Sequence, residues 1–506
     1  MNLLRYILIS SMAVIFGVGC TNNFDDYNDN PNTPDKWSIS PSSLLEETLY
    51  SGADAMLDRT KAFNGELIQY TVSGTTLNAY HRYSISNGIM ASTWNSLFRW
   101  AANADHMYKI CELKDPDNNI DTYRNSKAIA LTLKVLYSSN ATDIYGDIPY
   151  SEAFRSDEDL LKPKFDTQKE VYKALLAELE NANNLYVTSA SITTPSKDLL
   201  YGGNMSKWKK FTNSLYLRLL MRLSNRDAEM GVSAKITEIL TNQTKYPIFE
   251  SNTDNATLYY TGITPFSNRY GSSTESDFTS DRRVADNIIS MMSGSGDPRL
   301  PLYFKQSGSE WKGLISGEAE AGDTDGIALL NKTSLGQYTS PYAFMKFDEV
   351  MFIISEAAKR GMIPGGDAVA KTFYDQAVTA SVQWWNSVET SGKFVVTDEA
   401  LNAFINGGAK YNNTLDIILN QKYIALFWVG YEAWHEYRRT GYPQLRIGTG
   451  TQANNFILPT RFAYPILTAK TNPVNYEEAV QRLMTLYKKP DNMQAPVWWS
   501  KMATEY

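Results

Sequence analysis

Apolar residues recur at helical spacing along most of this chain. Lys127 to Asn140 places Ala128, Leu131, Val135 and Ser139 on one face, and the pattern stops before Thr142 and Asp143. Thr167-Gln-Lys-Glu170 has the form of a capping box, opening a helix whose Val171, Leu175, Leu179 and Ala182 make one stripe. Ser206 is placed to cap a helix with Trp208, Phe211, Leu215, Leu219 and Arg222 along one side. Asp348 is placed to cap another, through Phe352 and Ile353 to Ala357, stopped by Gly361. Asp367 starts a helix running towards Trp384 and Trp385. The spacing of Ile424, Phe427, Tyr431 and Trp434 predicts one long aromatic helix from Leu419 to Arg439, ended by Gly441 and Pro443. Arg438 and Arg439 fall in its last turn, where the helix dipole favours cations.

Between Tyr246 and Tyr338 the helical period disappears. Gly, Ser, Thr, Asn and Asp are dense there, which predicts long loops with short strands over residues 246–338, between two helical regions. Loops of that length inside a folded protein are usually functional. No repeat of fixed period is present, although strongly diverged helix pairs would leave none.

The first residues follow a different pattern. Asn2 to Arg5 supplies a short start with one positive charge. Tyr6 to Gly19 is apolar, broken only by Ser10 and Ser11, and ends on Gly-Val-Gly-Cys. That run is shorter than the roughly 20 residues a spanning helix needs. It predicts a lipoprotein signal peptide over 1–19, cut after Gly19, with Cys20 acylated. An ordinary signal peptide, or an N-terminal membrane helix with a chance Cys, is the alternative. Each buried CH₂ contributes about 0.8 kcal/mol, so two or more chains anchor stably where one does not. Residues 20–36 are polar and rich in turn formers, a tether ahead of the folded domain at 37–506. The alternating acids of the tether fail as a calcium loop, because neither register has Gly at position six or Glu at position twelve.

Composition narrows the function. Hydrophobic residues at 43% and charged residues at 20% describe a globular protein, and a net charge of −7 gives no nucleic-acid footprint. Of the two cysteines, acylation of Cys20 leaves Cys111 unpaired; on a helix face it reads as structural. The three histidines include His435-Glu436, which begins like a zinc-protease motif but lacks the second His. No nucleophile elbow, phosphate loop or dinucleotide fingerprint appears, so no cofactor or metal is expected. A glycoside hydrolase needs only two carboxylates, and 55 acidic residues leave that open. Glu432 and Glu436, beside Arg438 and Arg439, read as a structural ion-pair face.

Several segments taken in order carry a resemblance. They are Asp143-Ile-Tyr-Gly-Asp-Ile-Pro-Tyr150, Phe165-Asp-Thr-Gln168, Tyr201-Gly-Gly-Asn204 with Lys207-Trp208, and Asp297-Pro-Arg-Leu300. They continue through Glu349-Val-Met-Phe352, Gln421 to Leu426, Glu432-Ala-Trp434, Tyr437 to Pro443, Pro459 to Pro465, Asn472-Pro473 and Trp498-Trp499. The series resembles the SusD/RagB family of nutrient-binding outer-membrane lipoproteins, in its SusD-like branch. The resemblance implies a mostly α fold, a tetratricopeptide-like helical-repeat scaffold with the irregular region packed alongside. It implies a lipid anchor in the outer membrane, facing outward, with Asp25, Asp26 and Asp29 as an export tag or a plain solvated linker. It implies a TonB-dependent SusC-type transporter as partner, this chain serving as its lid, and a glycan or, in some members, a peptide as ligand.

A sugar oligomer binds by laying apolar C–H faces on aromatic rings while amides and charges meet its hydroxyls. With 11 Trp, 32 Tyr and 20 Phe the chain has rings to spare. The candidates on predicted loops are Tyr80, His81, Arg82 and Tyr83, then Trp94 with Asn95. In the irregular region they are Tyr259, Tyr260, Phe266, Asn268, Arg269, Tyr270 and Trp311. None is carried over from the family. A surface glycoside hydrolase and a purely structural transporter subunit are the competing expectations.

Overall fold

Each predicted helical stripe buries its apolar face against the next. The computed structural model describes residues 37–74, 80–320 and 322–505. The expected signal peptide, Cys20 and the tether lie outside the described residues. Helix α1 spans Pro41–Arg59, α2 Asn87–Lys114, α3 Asp121–Tyr145, α4 Gln168–Leu185, α5 Met205–Arg222 and α6 Val232–Thr241. After α7 (Asp286–Gly294) come α8 (Phe347–Lys359), α9 (Gly366–Val388) and α10 (Asp398–Asn406). Last are α11 (Leu415–Ala425), α12 (Glu432–Thr440) and α13 (Pro473–Tyr487). Sequential neighbours pack as helix pairs, α2 on α3, α3 on α4, α4 on α5, and α8 on α9. The fold is mostly α, as the resemblance implied. The chain divides into Met1–Ser40 and Pro41–Tyr506, and these helices all belong to the second unit. Among the described residues no helix is long and apolar enough to cross a membrane.

Helix ends follow local chemistry. Thr167 and Glu170 form the expected capping box at α4. Asn204, not Ser206, caps α5, its side chain accepting from Lys207 N at 3.1 Å, because the turn through Gly202 and Gly203 delivers Asn204 extended. Asp348 lies inside the first turn of α8 and pairs with Lys346 Nζ at 2.8 Å. The predicted helix 419–439 is two helices. Trp428 (φ 69°) and Gly430 (φ 50°) turn the chain left-handed between α11 and α12. A Cβ on Gly430 would stand 2.9 Å from Met56 Cε, so close packing and backbone both favour glycine there. Cys111 is buried, and burial pushes its thiol up to about 12.

The region 246–338 is held together by short antiparallel pairs. Strand β1 (Thr71–Ser73) pairs with β3 (Arg282–Val284), β2 (Ala256–Leu258) with β6 (Tyr342–Met345), and β4 (Phe304–Lys305) with β5 (Leu329–Leu330). Short helices at Glu275–Thr279, Leu300–Tyr303 and Lys332–Leu335, together with α7, break up what the sequence predicts as loop.

At the junction of α3, α5, α8, α11 and α12 lies a buried ionic cluster. Arg222 meets Glu432 at 2.5 Å, Glu436 at 3.0 Å and Asp143 at 3.3 Å. Arg439 meets Glu356 and Glu436, both at 2.6 Å, and Lys422 meets Glu436 at 2.6 Å. Burial opposes ionisation of Glu356, but Arg439, Arg360 and Lys422 outweigh it and hold the carboxyl at about 2. The ion-pair face expected of Glu432 and Glu436 is therefore internal, locking α12 onto its neighbours.

Candidate functional site

The outer side of α1 and the turn that follows it carries Tyr50, Asp54, Asp58 and Lys61, spaced so that they share one stripe. Each reaches into the loop-rich region. Tyr50 Oη donates to the carbonyl of Pro265, with that of Ser267 also in reach at 3.3 Å. Arg269 Nη1 meets Asp54 at 3.1 Å and Nη2 meets Asp58 at 3.1 Å. Lys61 pairs with Asp281 at 2.9 Å and lies over the rings of Tyr270 (5.5 Å) and Phe278 (5.3 Å). Burial lifts the Asp54 carboxyl, against the pull of Arg269, and burial lowers the Lys61 ammonium despite Asp281. The helical scaffold thus holds the irregular region by a row of polar contacts, and a face of loops stands on top.

Two rings of the loop-rich region and its border are exposed. Tyr259, just after β2, is 61% exposed and Tyr338 is 49% exposed. Asn268 fixes the backbone at Tyr338, its N donating to Tyr338 O at 2.9 Å and its Nδ2 to Ser340 O at 2.9 Å. Gly271 makes room for Tyr338. A Cβ there would come within 2.5 Å of the ring and 2.7 Å of its Cα. Replacing Gly271 by Ala is expected to displace Tyr338 and cost about 1–3 kcal/mol by overpacking. A denaturant melt together with a crystal structure of the variant checks this; an unshifted Tyr338 would contradict it.

The turn Tyr80–Arg82 packs on another part of the loop-rich region. His81 is buried, and its Nδ1 accepts from Gly317 N at 2.9 Å. Burial lowers its imidazole to about 4, so it is the neutral acceptor this bond requires. Its backbone N donates to Glu66 Oε2 at 2.9 Å. Burial raises Glu66 to about 7 although Arg282, 2.9 Å away, opposes it. Arg82 Nε donates to Glu318 O at 2.7 Å. The turn 80–82, the start of β3 and loop 317–318 are therefore tied together through His81, Arg82 and Glu66.

The candidate rings fall into separate places. Tyr80 and Trp94 belong to one chain of edge contacts: Tyr80–Phe63 at 5.0 Å, Phe63–Phe462 at 5.5 Å, Phe462–Tyr145 at 6.0 Å and Tyr145–Trp94 at 4.9 Å. Both are partly buried, as are Tyr270 and Trp311. Tyr83, with φ 59°, is fully buried, its Oη meeting Gln69 Nε2 at 3.4 Å; Tyr260 is 4% exposed with its edge against Tyr50. Neither presents a ring face to solvent. Tyr338 was not singled out from the sequence, since its exposure depends on distant Gly271. Among the described residues no group of three or more His, Cys, Asp or Glu is placed to hold a metal.

The model of the SusD-like family, described as starch-binding and associating with the outer membrane, matches residues 31–465. The chain belongs to this family. It is similar to a solved chitin-binding protein, at 25% identity and TM-score 0.77, over 91% of this chain and 100% of that one. A SusD homologue from Bacteroides uniformis matches at 27% identity and TM-score 0.71, over 91% and 98%. Another from Bacteroides fragilis, at 24% identity and TM-score 0.75 over 91% and 100%, shares the fold. None of the curated proteins matches the chain.

Proposed function

We propose that this chain is a lipoprotein of the outer membrane, anchored through Cys20 and exposed at the cell surface, that captures nutrient oligosaccharides without chemically altering them. It delivers them to a TonB-dependent SusC-type transporter, on which it sits as a lid. The observation that carries the proposal is the pair of exposed rings, Tyr259 and Tyr338, on a loop face that the α1 stripe holds in place. Such rings lie open to the C–H faces of a sugar, and Arg269, next to the Asn268 that holds Tyr338, offers donors to its hydroxyls. The family match and the likeness to a chitin-binding protein support a glycan as the ligand.

The test is recovery of tagged full-length protein from native outer membranes in mild detergent, with mass spectrometry of what accompanies it. Near-stoichiometric recovery of a large barrel is the expected result. Recovery from the outer membrane with no barrel would remove the lid role, and release of reducing sugar by the purified protein would overturn the non-catalytic one.

A further inference from the structure

Away from the exposed rings, a small internal cavity of about 10 Å³ lies where three parts of the chain meet. The first is the π-helical turn Thr60–Asn64 at the end of α1. The second is the start of β1, and the third is the left-handed break between α11 and α12. Asn64, Thr71 and Trp428 line the cavity, one from each part. All three are buried, at 3%, 2% and 6% exposure.

The side-chain polar atoms of these three residues are unpaired. Trp428 Nε1, Thr71 Oγ1 and both ends of the Asn64 amide make no hydrogen bond to the protein. A buried donor or acceptor left alone costs free energy, so nearly all such groups in folded proteins bond to protein or to ordered water. The neighbouring hydroxyls are already engaged. Thr60 Oγ1 donates to Met56 O at 2.9 Å, and Tyr70 Oη to Tyr423 O at 2.5 Å. Backbone packing leaves the Thr71 hydroxyl its place: a Cβ on Gly65, which also lines the cavity, would stand 2.6 Å from Thr71 Oγ1.

The chemistry of the set selects the ligand. An indole N–H only donates, which repels a cation, and no charged side chain lines the cavity to hold an anion. The volume is that of one solvent molecule, at the lower end of the roughly 10–15 Å³ a buried water needs.

We propose that this cavity binds one structural water, which accepts from Trp428 Nε1 and Thr71 Oγ1 and donates to Asn64 Oδ1. Three bonds are the usual number for a buried water. Because β1 pairs with β3, the water fastens the edge of the irregular region both to α1 and to the helix break. The site shares no residue with the exposed rings, so its success or failure is independent of oligosaccharide capture.

A high-resolution crystal structure tests the site directly, and one isolated density peak is expected within about 3.2 Å of all three atoms. Thr71→Val keeps the side-chain shape and deletes the hydroxyl, while Asn64→Leu deletes the amide. With the water in place, each variant should lower the melting temperature by about 1–3 °C. The double variant should fall by less than the sum, because both side chains hold one bridge. A dry cavity predicts the opposite, since deleting an unpaired hydroxyl leaves the melting temperature unchanged or raises it. No peak, a peak out of reach of any of the three atoms, an unchanged or raised melting temperature in Thr71→Val, or additive shifts would overturn the proposal.

Discussion

Replacing Glu356 by Gln is expected to destabilise the protein by about 3–5 kcal/mol, the cost of leaving a buried partner charge unmatched. Glu356 is fully buried on α8 and accepts a two-pronged contact from Arg439, Nη1 at 2.7 Å and Nη2 at 2.6 Å, plus Arg360 Nε at 2.7 Å. Gln keeps the volume and removes the charge. Arg439 would then rely on Glu436, which already serves Arg222 and Lys422. The pH dependence gives the signature. The folded carboxyl titrates at about 2, below the roughly 4.3 of an unfolded Glu. A depressed carboxylate contributes fully above the unfolded value, and that contribution is lost as pH falls through the window between about 4.3 and about 2. Urea unfolding of both proteins should show the full gap at neutral pH and a narrower one at about pH 3. A gap below about 1 kcal/mol at neutral pH would mean that the cluster does not clamp α12.

The same cluster explains how much of the fold was legible. Glu432, Glu436, Arg438 and Arg439 announced an ion-pair face because four charges on an aromatic stripe have few other uses. Sequence did not tell that the face was internal, since partners Asp143, Arg222 and Glu356 come from three other helices. The break at Trp428 and Gly430 was hidden because aromatic spacing continues across it; both helices bury their rings in one core. Caps written in adjacent residues, such as Thr167 and Glu170, were read correctly, while Asn204 lost to Ser206 because only the preceding glycine turn decides between them.

The loop face was legible as a region but not residue by residue. Tyr259 and Tyr260 are neighbours on a strand exit, and alternation puts one ring out and the next in. That alternation was available, since Leu258 must face the core, but a count of loop tyrosines ignores it. Tyr83 is buried because its left-handed backbone turns the ring inward beside Gln69. Tyr338 needed knowledge of Gly271, and Tyr50 of Pro265, contacts between residues far apart in sequence. Patterning within one element predicts elements; a face assembled from loops far apart in sequence is a property of their packing.

Substituting Tyr259 and Tyr338 together by Ala is expected to reduce oligosaccharide affinity by about 30-fold or more. An aromatic anchor at the centre of a contact is worth about 2 kcal/mol, and tenfold in affinity is about 1.4 kcal/mol. The two rings need not add, so one anchor's worth is the minimum. Both side chains are exposed enough that removing them should change folding stability by no more than about 0.5 kcal/mol, which separates lost contact from lost fold. The measurement is calorimetric titration with whichever oligosaccharide the wild-type protein binds, beside nutrient uptake by cells carrying the variant. Weakened binding with weakened uptake makes the rings the capture surface. Unchanged binding would move capture to the Tyr80–Arg82 edge, where His81 and Arg82 tie the turn to loop 317–318. Weakened binding with normal uptake would mean that the chain serves its transporter as a seal, because a lid that must hold its cargo cannot lose its grip without slowing import.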